Sequence, residues 1–359
     1  MRLARKPATR YYPLLLEPRQ AKASHDPHWL WCASGRGGLE LACAALGLRE
    51  GHAVLLPEYI CDVVLHPIQR LGLRPVWYAL ESDLSPNWQN LSARLPEVQA
   101  AMLMHPFGQP QDARRFAGFC RNADVLFLED NAHGYGATLQ GRPLGTWGDA
   151  GVTSPWKQYP VPCGAGLWFQ DIRVAELAHR LSAHWPVAHL PVVKPWCKSR
   201  LREALTLVPL LRLAFLAPPS AEMEGPEDPQ VPCMAQTSII AALERAQPGL
   251  DAARRRQIYV EWSRWLEHSD LTPIFTSLHL EAAPLCFPAY AADMEARQRW
   301  LRWGWLHDVA VHTWPTLPAQ LRNLSVVTDR WQRLLCFPIH QEMDPQLLRQ
   351  QLDRLPPPC

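Results

Sequence analysis

From Gly37 onward, short apolar runs alternate with segments of helical spacing, and this alternation constrains the fold more than any other feature of the chain. Residues 37–48 carry apolar side chains at helical spacing, and 54–56 is a short buried strand. Residues 61–71 read as a helix stopped by Gly72, 76–79 as a strand, and 91–98 as a helix weakened by Pro96. A strand at 101–104, a helix at 112–121 and a strand at 125–128 follow, the last running into Glu129-Asp130. Strands this short, separated by helices, indicate βαβ units and a mostly parallel sheet with helices on both faces.

From Trp185 to Pro232 the pattern breaks. Prolines recur, 218–229 is polar and proline-rich, and only 204–216 reads as a helix. The domain change is placed here. Beyond it, 235–247 reads as a helix broken by Pro248-Gly249, and 250–267 as a second helix rich in Arg and Trp. Strand-like pieces at 285–288 and 334–338 and helices at 293–303 and 345–355 complete a small α+β domain. The expected organisation is an arm at 1–25, a large α/β domain at 26–184, a connecting segment at 185–232 and the small domain at 233–359. Trp262, Trp265, Trp300, Trp303 and Trp305 are expected to pack on helix faces.

Composition excludes several classes. With 48% hydrophobic residues the chain buries a sizeable core, which rules out wholesale disorder. The 36 Lys+Arg against 34 Asp+Glu give a formal net charge of only +2, which argues against a nucleic-acid face. The basic start, Met1-Arg2-Leu3-Ala4-Arg5-Lys6, lacks a following apolar region, so no signal peptide is read. Pro209 and Arg212 interrupt the most apolar stretch, so no membrane span is expected and a reduced, cytoplasmic protein is. None of the ten cysteines forms a C-x-x-C pair, and His179, His184 and His189 are spaced by five, which does not stack them on one helix face. No metal site is expected.

In an open α/β sheet, ligands sit beyond the carboxyl ends of the strands. Three features fall there. Ser34-Gly35-Arg36-Gly37-Gly38 opens the first helix, where backbone N–H groups can cradle a phosphate; taken singly, it is also an ordinary helix start. Asp130 ends an apolar strand, where a buried carboxylate needs a partner; capping the next turn is the alternative. Lys157 follows the strand at 151–153 and is the only lysine between Lys22 and Lys194. If buried, its amine would be a nucleophile for carbonyl chemistry; if not, it is a surface lysine. Together, a phosphate cradle, then an Asp after a strand, then a Lys after the following strand is the order expected for pyridoxal 5′-phosphate. That cofactor needs a lysine to hold its aldehyde as a Schiff base, a carboxylate to keep its ring nitrogen protonated, and a cradle for its phosphate.

From Ser34 to the C-terminus the chain resembles the DegT/StrS-type sugar aminotransferases, within the fold-type-I enzymes that use pyridoxal phosphate. The resemblance rests on Ser34-Gly35-Arg36-Gly37-Gly38-Leu39, Pro57-Glu58-Tyr59 and His105-Pro106-Phe107-Gly108. It continues through Glu129-Asp130-Asn131-Ala132-His133-Gly134, Gly148-Asp149-Ala150-Gly151, Pro155-Trp156-Lys157, Val311-His312-Thr313-Trp314-Pro315 and Cys336-Phe337-Pro338. It implies Lys157 as the Schiff-base lysine and Asp130 as partner of the pyridine nitrogen. His133 would lie near the ring hydroxyl, Gly35 and Arg36 at the phosphate, and Ser154 would add a hydroxyl there. Tyr59 would lie against the ring face, or Cys61 if the match slips by two positions. The implied activity moves an amino group from an amino acid, glutamate above others, to a keto-sugar carried on a nucleotide, in a homodimer. Retention of Lys157 argues against the dehydrases of this group that replace it.

The chain departs from that pattern in three places. Trp156 stands where a small residue usually precedes the lysine, Cys163 replaces an acidic residue before the glycines, and 233–238 lacks the Asn and Arg the family carries there. These departures keep open a second reading, a degenerate cofactor-binding or scaffold protein of the same fold without turnover.

Overall fold

The computed structural model describes Leu3 and residues 26–188, 231–313 and 316–356. Apart from Leu3, the expected arm lies outside the described residues, as do His189, Trp314, Pro315 and the helix expected at 204–216.

Interior strands are the most apolar. β2 (Ala53–Pro57) and β4 (Ala100–Met104) are buried at every position, as strands covered on both faces must be. They lie within a seven-stranded sheet of order β1-β9-β8-β5-β4-β2-β3. Its other members are β1 (Trp29–Cys32), β3 (Arg74–Tyr78), β5 (Leu126–Asn131), β8 (Ala150–Thr153) and β9 (Ala165–Phe169). The pairs β2–β3, β2–β4, β4–β5 and β5–β8 are parallel, whereas β9 runs antiparallel to both β8 and β1. The mostly parallel sheet expected from the alternation is present. Two short strands, β6 (Thr138–Leu139) and β7 (Arg142–Pro143), form a separate hairpin between β5 and β8.

The first helix, α1 (Gly35–Ala45), is capped by Ser34, whose hydroxyl accepts from the Gly37 amide at 3.3 Å. Its buried face, including Leu39, Leu41, Ala42, Cys43 and Ala45, lies on the sheet over β8 and β9. Burying each large aliphatic side chain of this face contributes about 1.5–3 kcal/mol.

Between the strands lie α2 (Leu65–Arg70), α3 (Trp88–Arg94) and α4 (Ala113–Asn122), with α5 (Ile172–Ser182) closing the unit. The helix expected over 61–71 is split, with a tight turn at Asp62–Val64 ahead of α2. Pro96 likewise does not merely weaken its helix. It sits in a separate tight turn, Leu95–Glu97, after α3 has ended.

The second unit contains α6 (Thr237–Glu244), α7 (Pro248–Leu266), β10 (Thr272–Pro273), β11 (Cys286–Tyr290), α8 (Met294–Leu306), α9 (Ser325–Arg333), β12 (Leu334–Pro338) and α10 (Pro345–Leu352). Strands β10, β11 and β12 form an antiparallel sheet in that order. Pro248-Gly249 does not break a helix but starts α7, because proline at a first helical position sacrifices an N–H that has no partner anyway. Trp262, Trp300 and Trp303 are buried here, and Trp265 packs edge-on against Trp262 and Trp300. A further core joins the two units: Leu55, Leu103 and Phe127 of the large sheet cluster with Cys286, Tyr290, Leu334 and Cys336 of the small one.

Candidate active site

Side chains alternate across a strand, so the adjacent carboxylates Glu129 and Asp130 face opposite sides of the sheet and need different partners. Glu129 is buried and fully engaged. Its Oε1 accepts from His105 Nε2 at 2.9 Å and from the Gly145 amide at 2.7 Å. Its Oε2 accepts from the amides of Trp147 at 2.6 Å and Gly148 at 3.3 Å. His105 Nδ1 in turn accepts from the Gln111 amide at 3.0 Å, which puts the ring proton on Nε2, facing Glu129. This clamp ties the end of β4, β5 and the loop before β8 into one block. Sequence analysis assigned Glu129 and His105 no role, although the strand period itself demands a partner for one of two adjacent acids.

Asp130 is the other acid. It sits at the carboxyl end of β5, in register with Met104 of β4 and Val152 of β8, and its carbonyl accepts from the His105 amide at 3.0 Å. Its Oδ1 accepts from the Ala132 amide at 2.8 Å, so the turn-capping alternative is realised as well. Desolvation pushes its carboxyl above the usual range, opposed by the ammonium of Lys157. Asp130 and Lys157 are therefore within electrostatic reach of each other.

Lys157 ends a tight turn, Pro155–Lys157, in which its amide donates to the Ser154 carbonyl at 3.0 Å. The lysine is partly buried, between a surface residue and a core one. Ser154 is buried, and a Cβ at Gly35 would come 2.7 Å from its Oγ. The lysine turn and the start of α1 thus meet closely, with the Ser154 hydroxyl against Gly35. Gly35 and Arg36 form the first turn of α1, whose amides and positive dipole end suit a phosphate.

His133 is buried, with its ring stacked on Phe107 at 6.1 Å and its Nδ1 accepting from the Phe107 amide at 3.3 Å. Its carbonyl accepts from Gln158 Nε2 at 2.7 Å, joining the Asp130–His133 turn to the residue after the lysine. Gly35, Ser154, Lys157, Asp130 and His133 are therefore linked by contact or by charge. Tyr59 shares a core cluster with Phe107, the ring on which His133 stacks. It is a core side chain close to Tyr290 and Cys336 of the second unit, and burial raises its phenol well above the ordinary value. Two positions on, Cys61 is half-buried, with its thiol 3.7 Å from Asp62 Oδ1.

Among the described residues no cluster of His, Cys, Asp or Glu could hold a metal ion, and no helix is long and apolar enough to cross a membrane. His179 and His184 are exposed.

Comparison with known proteins follows the same lines. Residues 14–186 match the DegT/DnrJ/EryC1/StrS aminotransferase family. The chain is 29% identical over 155 residues to dTDP-4-dehydro-2,3,6-trideoxy-D-glucose 4-aminotransferase of Saccharopolyspora spinosa, covering 42% of this chain and 40% of the relative. It is 25% identical over 155 residues to GDP-perosamine synthase of Escherichia coli O157:H7, covering 42% of each. The matched stretch thus spans about two fifths of the length of these relatives. Among solved structures, the aminotransferase TlmJ from Streptoalloteichus hindustanus superposes with a TM-score of 0.67 at 20% identity, over 98% of this chain and 91% of that one. Helicobacter pylori PseC, an aminotransferase involved in the biosynthesis of pseudoaminic acid, gives 0.69 at 12% identity, over 91% and 86%. The candidate site residues all fall between Gly35 and Lys157, inside residues 14–186, the stretch that matches the DegT/DnrJ/EryC1/StrS aminotransferase family.

Proposed function

We propose that this chain is a pyridoxal-phosphate-dependent aminotransferase that moves an amino group from an amino acid, glutamate above others, to a keto-sugar linked to a nucleotide. The observation that carries the reading is the convergence of the α1 start, Asp130 and the Lys157 turn beyond the carboxyl ends of β5 and β8. The residues present fit the cofactor. The Ser154 hydroxyl lies against Gly35 at the start of α1, and the desolvated Asp130 carboxylate is stabilised by the charge of Lys157, the only lysine between Lys22 and Lys194.

When bound, the cofactor supplies an aldehyde and a ring that withdraws electrons from the substrate carbon. Gly35, Arg36 and Ser154 would hold its phosphate, and Asp130 would keep a proton on its ring nitrogen. His133 has its Nδ1 committed to Phe107, so it would present the opposite edge of its ring. Lys157 would hold the aldehyde carbon, then serve as the base that takes a proton from the substrate carbon and returns it.

The keto-sugar acceptor is supported by the relatives, which carry names of aminotransferases acting on nucleotide-linked sugars. A homodimer, cytoplasmic location and a division into units at 26–184 and 233–359 belong to the same proposal. The test is turnover by the purified protein, loaded with pyridoxal phosphate, with glutamate and a panel of nucleotide-linked keto-sugars. Amino-sugar formation with at least one member is expected. Cofactor binding with no turnover on any acceptor or amino donor would replace this reading with the degenerate one.

A further inference from the structure

Arg255 of α7 is buried, 2% exposed, yet its guanidinium makes its hydrogen bonds to neutral oxygens. Nη2 donates to the Gln158 carbonyl at 3.0 Å and to Gln341 Oε1 at 2.8 Å. Nε also donates to Gln341 Oε1, at 3.2 Å, and Nη1 to the Pro284 carbonyl at 3.0 Å. Asp251, one turn earlier on α7, supports this charge only through space, so a guanidinium bonded to carbonyls and an amide remains costly to bury compared with apolar packing. Burial draws the guanidinium down to about 10, still charged at neutral pH.

What the arrangement achieves lies in its partners. Gln158, the residue after Lys157, is 1% exposed and held at both ends. Its carbonyl takes Arg255 Nη2 and also Gln341 Nε2 at 3.4 Å. Its side-chain amide donates to the carbonyls of His133 at 2.7 Å and Ala283 at 3.2 Å. One residue further on, the Tyr159 hydroxyl bonds Asp251, one helical turn before Arg255 on α7, at 2.6 Å. The turn carrying the lysine is thus fastened to the Asp130–His133 turn on one side and to α7 and the Gln341 loop on the other.

We infer that Arg255 is a positioning residue: through the Gln158 carbonyl it fixes the backbone from which Lys157 projects, and so couples the placement of the lysine to the second unit. The part of this inference that concerns cofactor attachment rests on the function proposed above; the part that concerns the backbone does not.

Two measurements separate these parts. In the cofactor-free protein, hydrogen exchange of the amides at 157–159 is compared between wild type, Arg255→Met and Arg255→Lys. Losing a bond from a charged donor to a buried carbonyl should speed local exchange by about tenfold or more. Arg255→Lys, which keeps one charged donor, should recover part of it, while amides of β2 and β4 stay unchanged. With pyridoxal phosphate added, total binding is read by equilibrium dialysis, and the covalent fraction by borohydride trapping on Lys157. The covalent fraction should fall by about tenfold in Arg255→Met, with total binding changed far less. If Arg255→Met does not fold, Gln341→Leu removes the bridging amide on the half-buried side and should show the same pattern more weakly.

Unchanged exchange at 157–159, or a uniform rise in exchange across the whole chain, would reduce Arg255 to a structural residue and overturn the inference. Failure of the wild type to bind pyridoxal phosphate would instead strike the proposed function and leave the exchange result standing.

Discussion

Replacing Glu129 by alanine should cost more stability than replacing almost any surface residue, although Glu129 is not expected to touch substrate. The substitution removes the acceptor for His105 Nε2 and for the amides of Gly145 and Trp147, at 2.9, 2.7 and 2.6 Å, and for a weaker donor, Gly148, at 3.3 Å. Each buried donor left without a partner costs about 1–3 kcal/mol. Three good donors set the range at about 3–9 kcal/mol, and water entering the vacated space pulls the result to the lower half, about 4 kcal/mol. That is a large part of the roughly 5–15 kcal/mol that holds a typical domain together. Glu129→Gln keeps one acceptor but turns its NH₂ toward N–H groups, so it should cost about 3 kcal/mol rather than being neutral. Urea unfolding followed by tryptophan fluorescence reads both. The exposed pair Arg94–Glu97, at 3.5 Å, supplies the control, where Arg94→Ala should change stability by less than about 0.5 kcal/mol. A Glu129→Ala protein within about 1 kcal/mol of wild type would refute the account of the clamp.

Three further outcomes are expected. Asp130→Asn should slow half-transamination with glutamate by orders of magnitude in single-turnover spectra while leaving cofactor retention nearly unchanged, because a neutral amide cannot keep the ring nitrogen protonated; similar rates would remove Asp130 from that role. His340 is buried beside Arg255, and desolvation followed by that charge lowers its imidazole to about 4. The unfolded chain binds the proton near 6.5, so stability should fall as pH drops from about 6.5 toward 4, by up to about 3 kcal/mol, and His340→Leu should flatten that slope in urea titrations at several pH values. Gly108 has φ +83°, and a Cβ there would come 2.1 Å from the Ala283 carbonyl oxygen, so Gly108→Ala should lower the melting temperature far more than Gly118→Ala, where nothing lies within 4 Å.

How much of this was legible in the sequence depended on which interaction dominates locally. β12 (Leu334–Pro338) was read at its observed bounds because its apolar run is buried throughout. β1 and β9 were overlooked for a physical reason. Gly166 is a strand residue, although glycine is a poor strand former, and its missing side chain leaves room for the Trp29 ring, 2.8 Å from where a Cβ would stand. Pro248 was read as a breaker because propensity does not distinguish the interior of a helix from its first position. The strand ends that carry Asp130 and lead into the Lys157 turn were legible because apolar runs stop there. Tyr59 packs in a core that combines Leu55, Tyr78 and Leu103 of the large sheet with Tyr290 and Cys336 of the second unit, and the second set is remote in sequence. Arg255 was illegible for the same reason: its partners Gln158, Pro284 and Gln341 come from three separate segments.

The central claim is that Lys157 carries the cofactor, and one measurement addresses it directly. Purified protein is incubated with pyridoxal phosphate, its visible spectrum recorded, and the mixture reduced with borohydride and digested for mass spectrometry, with Lys157→Ala in parallel. The account predicts a yellow wild-type protein, a reduced pyridoxyl adduct on Lys157, and loss of both in Lys157→Ala. A colourless wild type with no adduct on Lys157, or an equal yield of adduct on another lysine in both proteins, would contradict it.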